Sequence, residues 1–403
     1  MQQTRAVVQT RIAAPDAQER ENVRGRPTRA RNQAIDWLRG AVMVLMALDH
    51  TRAFLGSAVE LDTAGPALFF TRWVTHFCAP VFVLLAGTAA YLHGRRLEST
   101  RALAGYLLTR GVWLVVLEVT VVRFVWIVQI GPDNLFLQVI WAIGASMIVL
   151  AALVSLPRWA IAACALILIG GHNLFDAAHA QQLGWAHALW VILHEPGRLE
   201  PFAGASWFVL YPLIPWVAVM AAGYALGPWA LLPRTQRQVR FARLGAALLV
   251  GFVLVRAGNL YGDPHPWTAE HGLLRTVLAF LNCEKYPPSM LYLAMTLGPA
   301  FCALAWMDRP LGAWAERVSL YGRVPLFYYV LHLALIHAVA IAVAWPELGG
   351  AAVTRPFLPS GGLGYSLPTV YAFWAAVVLA LYAPCRWFAG VKRRSHAAWV
   401  SYL

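Results

Sequence analysis

The chain has 403 residues, of which 60% are hydrophobic and only 13% charged, with 18 Trp, 18 Phe and 14 Tyr. A soluble domain sits nearer half apolar, so this composition excludes a water-soluble enzyme and points to a membrane protein. The net charge of +13 does not indicate a nucleic-acid binder, because the basic residues gather on alternate loops instead of one patch.

Residues 1–33 form a basic arm with Arg5, Arg11, Arg20, Arg24, Arg26, Arg29 and Arg31, rich in Gln and Pro and without apolar periodicity. Such a segment reads as disordered. No small-residue cleavage site precedes the first apolar run, so that run is read as a retained helix and not as a signal peptide. Ten spans are then predicted, near 35–55, 68–92, 104–122, 135–155, 158–174, 205–228, 242–258, 289–306, 324–345 and 367–388. Each approaches the ~20 residues that cross ~30 Å of hydrocarbon as a helix, which makes the fold class an all-α polytopic transmembrane bundle. The membrane domain is taken as 34–390 and a tail as 391–403, without an internal repeat or a separate soluble domain.

Loop charge sets an expected orientation. Arg95, Arg96 and Arg101, then Arg234, Arg237, Arg240 and Arg243, then Arg309, Arg317 and Arg323, and finally Lys392, Arg393 and Arg394 fall on the same side as the arm. The loops between are poor in cations: 56–67 has none, 175–204 has Arg198 and 346–366 has Arg355. By the positive-inside rule both termini are cytoplasmic, and localisation in a bacterial inner membrane is expected.

The first span, "AIDWLRGAVMVLMALDHTRAFL" over residues 34–55, holds Asp36, Arg39, Asp49 and His50. Arg39 and His50 are three turns apart, so they project from nearly one face about 16 Å apart along the axis. Asp36 and Met43 share this face. Ionisable groups in a span turn toward protein or water, so the face should look into the bundle. Asp36 and Arg39 also suit a plain ion pair at a helix start. Farther on, His76 lies in the second span at a depth close to that expected of His50, and His332 and His337 fall in the ninth, in "YYVLHLALIH". Each suits a packing role as well as a chemical one.

Two outer segments, 175–204 and 259–288, carry most remaining polar chemistry. His172, His179, His187 and His194 recur every seven or eight residues, which would stripe one face if the segment were helical. That spacing lacks the i, i+3 or i, i+4 pairs a metal needs, and no CxxC pair exists, so no metal is expected. Trp185, Trp190 and Trp267 suit an interfacial belt, or stacking against a sugar ring. In "EKYPPSMLY", Pro287 and Pro288 disfavour helix before them and leave Ser289 to cap the helix that follows, with Glu284 and Lys285 at its outer mouth. Four of the five Cys lie within predicted helices, with Cys283 in an outer loop, which implies no disulfide framework.

An Arg followed by ten residues and then a His, at the start of the first long helix, resembles the signature of the transmembrane acyltransferase superfamily. More closely, that stretch together with "HFCAPVFVLLAGTAAYLHGRR", "EKYPPSMLYLAMTLGPA" and "YGRVPLFYYVLHLALIH" resembles the bacterial branch of the heparan-α-glucosaminide N-acetyltransferase-like membrane proteins, from about residue 30 to 390. The resemblance implies transfer of an acyl group, acetyl by preference, from cytoplasmic acyl-CoA to a glycan across the membrane. It implies Arg39 on the acyl-CoA side and His50 as the catalytic imidazole. The lysosomal branch differs at this point and keeps His76 in contention. Arg95 and Arg323 are further inside candidates for the acetyl-CoA phosphates, and Glu284, Lys285 and His332 are candidates for the acceptor side. The imidazole would either take the acceptor's proton as it attacks the thioester or be acylated first. The implied partners are acyl-CoA, a glycan or envelope acceptor and the lipid bilayer, with no nucleic acid and with a homodimer left open. The competing reading is a proton-coupled transporter that uses the buried Asp, Arg and His face. Against it stands the lack of a duplicated half-structure or of paired Gly/Pro-interrupted helices.

Overall fold

The computed structural model describes residues 33–57, 64–129, 131–354 and 362–395. Residues 1–32 of the predicted arm and 396–403 of the predicted tail lie outside them. Helix α1 is Gln33–Leu55, α2 Pro66–Thr75, α3 Cys78–Gly94 and α4 Thr100–Leu117, which runs through a π-helical turn, Glu118–Val122, into α5, Arg123–Ile127. Then come α6 Val139–Leu153, α7 Arg158–Gly171, α8 His187–Leu193, α9 Leu213–Leu226, α10 Arg234–Gly258, α11 Leu273–Leu281 and α12 Met290–Met307. The described chain closes with α13 Ala313–Arg323, α14 Pro325–Leu348, α15 Ala351–Thr354 and α16 Leu367–Arg394. The protein is an all-α polytopic bundle, and each of the ten predicted spans overlaps helix.

Seven helical stretches among the described residues are long and apolar enough to cross a membrane. The other three predicted spans miss that standard for visible reasons. Helix α1 holds Asp36, Arg39, Asp49 and Arg52, helix α4 holds Arg101 and Arg110 ahead of Glu118, and α6 is only 15 residues long. Of these charges, Arg39, Asp49, Arg52 and Arg110 line the cavities described below.

Four boundaries differ from the sequence reading. The predicted spans at 135 and 205 begin as strand: β1 (Asn134–Leu137), β2 (Gly197–Leu199) and β3 (Ser206–Val209) form a sheet of order β1-β3-β2, with β1 parallel and β2 antiparallel to β3. Pairing partners so distant in sequence are invisible to local periodicity. The second span breaks at His76 and Phe77. Pro80 has no N–H to return to the His76 carbonyl, and the Tyr292 hydroxyl donates to that carbonyl instead, at 2.8 Å. Finally, α16 continues through Lys392, Arg393 and Arg394, so the start of the predicted tail is helical.

Helix α1 packs against α3, α12, α13, α14 and α16. Its approach to α13 is backbone on backbone: a Cβ at Gly40 would run into the Val318 carbonyl, and one at Gly322 into the Asp36 carbonyl. Small residues allow such approach in lipid, where packing replaces the hydrophobic drive between helices. The close approach brings the Gly322 carbonyl to Arg39, whose Nη1 donates to it at 3.2 Å.

Candidate active site

One stripe of α1 lines two cavities in succession. Arg39, Met43 and Met46 face the first, of about 210 Å³, and Met46, Asp49, His50, Arg52 and Ala53 face the second, of about 160 Å³. Residues at i, i+4, i+7 and i+11 share a helix face, so the spacing of Arg39, Met43, Met46 and His50 produces this wall directly. Met46 and Val139 belong to both linings, which makes the cavities neighbours.

The Arg39 cavity is mostly apolar. Phe82, Ala86, Leu114, Ile140 and Met147 contribute to it, with Arg39, Arg110, Tyr106 and Tyr329 as its polar members. Arg39 also pairs with Asp36 at 3.7 Å, so the ion pair suggested by the sequence coexists with the cavity position. The His50 cavity is polar. Besides the α1 residues it is lined by Thr75, Cys78, Gln138, Tyr211, Lys285 and Tyr286.

His50 and His332 form a dyad, with Nδ1 of His50 2.8 Å from Nε2 of His332 and the rings parallel. The Nδ1 of His332 lies 2.8 Å from the Tyr328 carbonyl oxygen. A carbonyl only accepts, so His332 Nδ1 carries the hydrogen and its Nε2, in the neutral ring, is an acceptor. His50 Nδ1 must then donate. The lone pair of His50 therefore resides on Nε2, which has no hydrogen-bond partner among the described residues. Trp126 and Tyr329 pack edge-on against His50, holding the ring in place.

Lys285 reaches the same cavity from the segment before α12, fixed by a network that sequence spacing does not reveal. The Ser289 hydroxyl caps α12 by accepting from the Tyr292 N–H, as expected, and donates to Asp263 at 2.7 Å. Asp263 also accepts from the Glu284 N–H and faces the buried Arg256, which donates to the carbonyls of His265, Ala279, Phe280 and Asn282. Burial disfavours the Lys285 ammonium, but Tyr286 and Asp49 outweigh this and raise it above an ordinary lysine. It remains a cation at neutral pH.

The other sequence candidates fall elsewhere. His76 is buried against Tyr292, outside both linings. Arg95 is exposed and Arg323 half-buried beside Gly322, neither in a lining, and Glu284 pairs with His265 at 3.3 Å. The four outer histidines do not form a helical stripe, since their segment folds as 3₁₀ turns and the short α8. Two residues that the sequence reading passed over stand beside the cavities: Arg110, and Glu118 in the π-helical turn, whose carboxylate accepts from the Gln138 N–H at 3.1 Å. An arginine and a glutamate inside an apolar span were the available signal.

The model of the heparan-alpha-glucosaminide N-acetyltransferase catalytic domain matches residues 31–259. The chain belongs to this family. It is therefore an N-acetyltransferase-like enzyme of the membrane. The matched region holds α1, Arg110 and Glu118, whereas Lys285 and His332 come from beyond its end. No curated protein matches the chain.

In an N-acetyltransferase-like site, the dyad has the arrangement general base chemistry needs: a free ring nitrogen, a partner that fixes its tautomer and an adjoining cavity.

Proposed function

We propose that the enzyme transfers an acetyl group from cytoplasmic acetyl-CoA to a glycan or related envelope acceptor on the far side of a bacterial inner membrane. The observation that carries this reading is the pair of adjoining cavities on one face of α1, apolar with two arginines on one side and polar with the His dyad on the other. The basic loops lie on the side of Arg39, which favours that side as cytoplasmic.

Arg39 and Arg110 would hold phosphate oxygens of the donor, a task suited to the planar guanidinium. Arg323, next to the carbonyl that Arg39 grips, is a secondary candidate, and Arg95, exposed and outside both linings, is given no role in this scheme. The apolar cavity would exclude water from the thioester, the bond that acetyl-CoA supplies to the reaction. His50 rather than His76 is assigned as base, because His50 lines the cavity next to the donor. As the acceptor hydroxyl or amine attacks, His50 Nε2 takes its proton, and the Nδ1–H bond to His332 stabilises the imidazolium that forms. The proton then passes to the departing thiolate, leaving acetylated acceptor and free thiol.

The test is thermal unfolding of the detergent-purified enzyme against acetyl-CoA, free CoA and desulfo-CoA, with Arg39→Ala alongside. A ligand held only by the folded state at ~100 times its dissociation constant adds ~2.7 kcal/mol. A saturable rise in Tm that weakens in Arg39→Ala is expected. No shift with any acyl-CoA in folded protein would overturn the proposal in favour of the transporter reading.

A further inference from the structure

We infer that, whatever the acceptor, the segment leading from α10 to α12 is seated in the membrane, in the leaflet opposite the basic loops, where lipid acyl chains cover the exposed apolar face of α11. Helix α11, "LLRTVLAFL", gathers its apolar side chains on one arc, with Arg275 and Thr276 on the other. Leu278 alone of its nine residues is buried in the bundle. Leu273, Leu274 and Val277 are exposed, Leu273 by 82%, and Leu260, in the link from α10, by 92%. A helix this short is marginal in water by itself, and α11 has little protein to fold against, so its apolar arc needs another apolar surface.

The contacts of α11 fix its depth. Phe280 packs edge-on against Phe252, with ring centroids 5.6 Å apart, and Arg256 donates to the carbonyls of Ala279, Phe280 and Asn282 at the C-terminal end of α11. Phe252 and Arg256 lie six and two residues before the end of α10 at Gly258, ~9 Å and ~3 Å short of it along the axis. The end of α11 is therefore level with the last turns of a membrane span and not above them. Nor does the span reach past it. Arg243, exposed, is the last of the arginines that open α10, and residues 244–258 number 15, which cover ~22 Å against the ~30 Å of hydrocarbon. With Arg243 at the near boundary, the far boundary falls beyond Gly258, at the level of the segment that follows. The exposed stripe of α10, Val250, Val253 and Leu254, adjoins the side on which α11 packs, so one apolar surface continues from the span onto the helix.

Arg256 points the same way. Irregular backbone at membrane depth is tolerated only where protein satisfies its polar groups. Buried Arg256 does this for the segment: besides three carbonyls at the end of α11 it binds the His265 carbonyl and faces Asp263. Trp267 donates to the Arg256 carbonyl at 2.7 Å, and the Asn259 side chain bonds both the N–H and the carbonyl of Trp267. A loop in water would not need such a frame, since water would satisfy the same groups. Helix α11 runs directly into residues 283–285, so its lipid seat also steadies the segment that brings Lys285 to the His50 cavity.

The test uses the full-length protein in lipid nanodiscs, with the half-buried Cys164 and Cys302 replaced by Ala and with Leu274→Cys, Val277→Cys or Arg275→Cys introduced singly and labelled with a fluorescent maleimide. The apolar face of an interfacial helix lies ~5–10 Å into the headgroup and acyl boundary, so a nitroxide high on the acyl chain reports it, and iodide reports water. Labels at 274 and 277 should lose fluorescence to the nitroxide lipid and be protected from iodide, and the label at 275 should show the reverse. Iodide quenching of all three labels without lipid quenching would place the helix in water and overturn the inference. So would labels at 274 and 277 that neither quencher reaches, the mark of a second copy or another protein on this face, or lipid quenching equal at 275 and 274. If the Leu274→Cys or Val277→Cys protein fails to fold, Leu273→Cys carries the same expectation.

Discussion

Replacing His332 by Leu should remove the acceptor that fixes the tautomer of His50. His332 is fully buried, so leucine is the apolar side chain that fits its space most closely, and the Tyr328 carbonyl stays bonded within its own helix. What is lost is the 2.8 Å bond from His50 Nδ1–H to His332 Nε2. An orphaned buried donor costs ~1–3 kcal/mol. That cost falls on the tautomer with a free Nε2, and not on its alternative, so the competent form drops by roughly 5- to 150-fold. The turnover of labelled acetyl from acetyl-CoA to acceptor should fall by the same factor, while the acetyl-CoA-dependent rise in Tm stays as in wild type. His332→Gln, whose amide oxygen can accept from His50, should keep most of the rate. A folded His332→Leu enzyme with a rate within about threefold of wild type, or a Gln variant as poor as Leu, would refute the tautomer argument.

Other substitutions test the frame that holds the site. Gly40→Leu would drive a side chain into the Val318 carbonyl and should lower stability by ~1–3 kcal/mol or more, read as a fall in Tm in detergent. Arg256→Met removes the cation facing Asp263 and one donor from each of four carbonyls, and should cost ~3–5 kcal/mol in the same assay. Arg237 grips Asp308 with bonds of 2.6 and 2.7 Å at a partly exposed site, so Asp308→Ala should cost less, ~1–3 kcal/mol; an effect as large as that of Arg256→Met would contradict the burial argument. Burial and the nearby Asp263 carboxylate push the Cys283 thiol up from its ordinary value, so it should resist maleimide at pH 7 in folded protein and react on unfolding, followed by mass spectrometry.

Much of this protein is legible in one dimension. Membrane residence, helical class and the location of the seven helical stretches long and apolar enough to cross follow from runs of apolar residues, because in hydrocarbon a backbone must satisfy its own hydrogen bonds locally. The polar face of α1 is legible for the same reason: Arg39, Met43, Met46 and His50 share a face through helical geometry alone, and lipid penalises any other direction for their charges. The Ser289 cap is equally local.

What only the tertiary structure decided is which distant groups meet that face. His332 is 282 positions from His50 and one of several histidines in apolar helices, and nothing in its own helix distinguishes it from His337, whose Nδ1 meets the Val125 carbonyl instead. Lys285 enters the cavity through an Arg256, Asp263 and Ser289 network assembled from separate loops, while His76, at a depth comparable to that of His50, ends against Tyr292. The pairing of β1 with β3 likewise depends on partners some seventy positions apart. Periodicity reports which face of a helix is polar, since that is a property of 3.6 residues per turn. It cannot report the neighbour opposite, because that is set by side-chain volumes and close glycine contacts summed over the whole bundle.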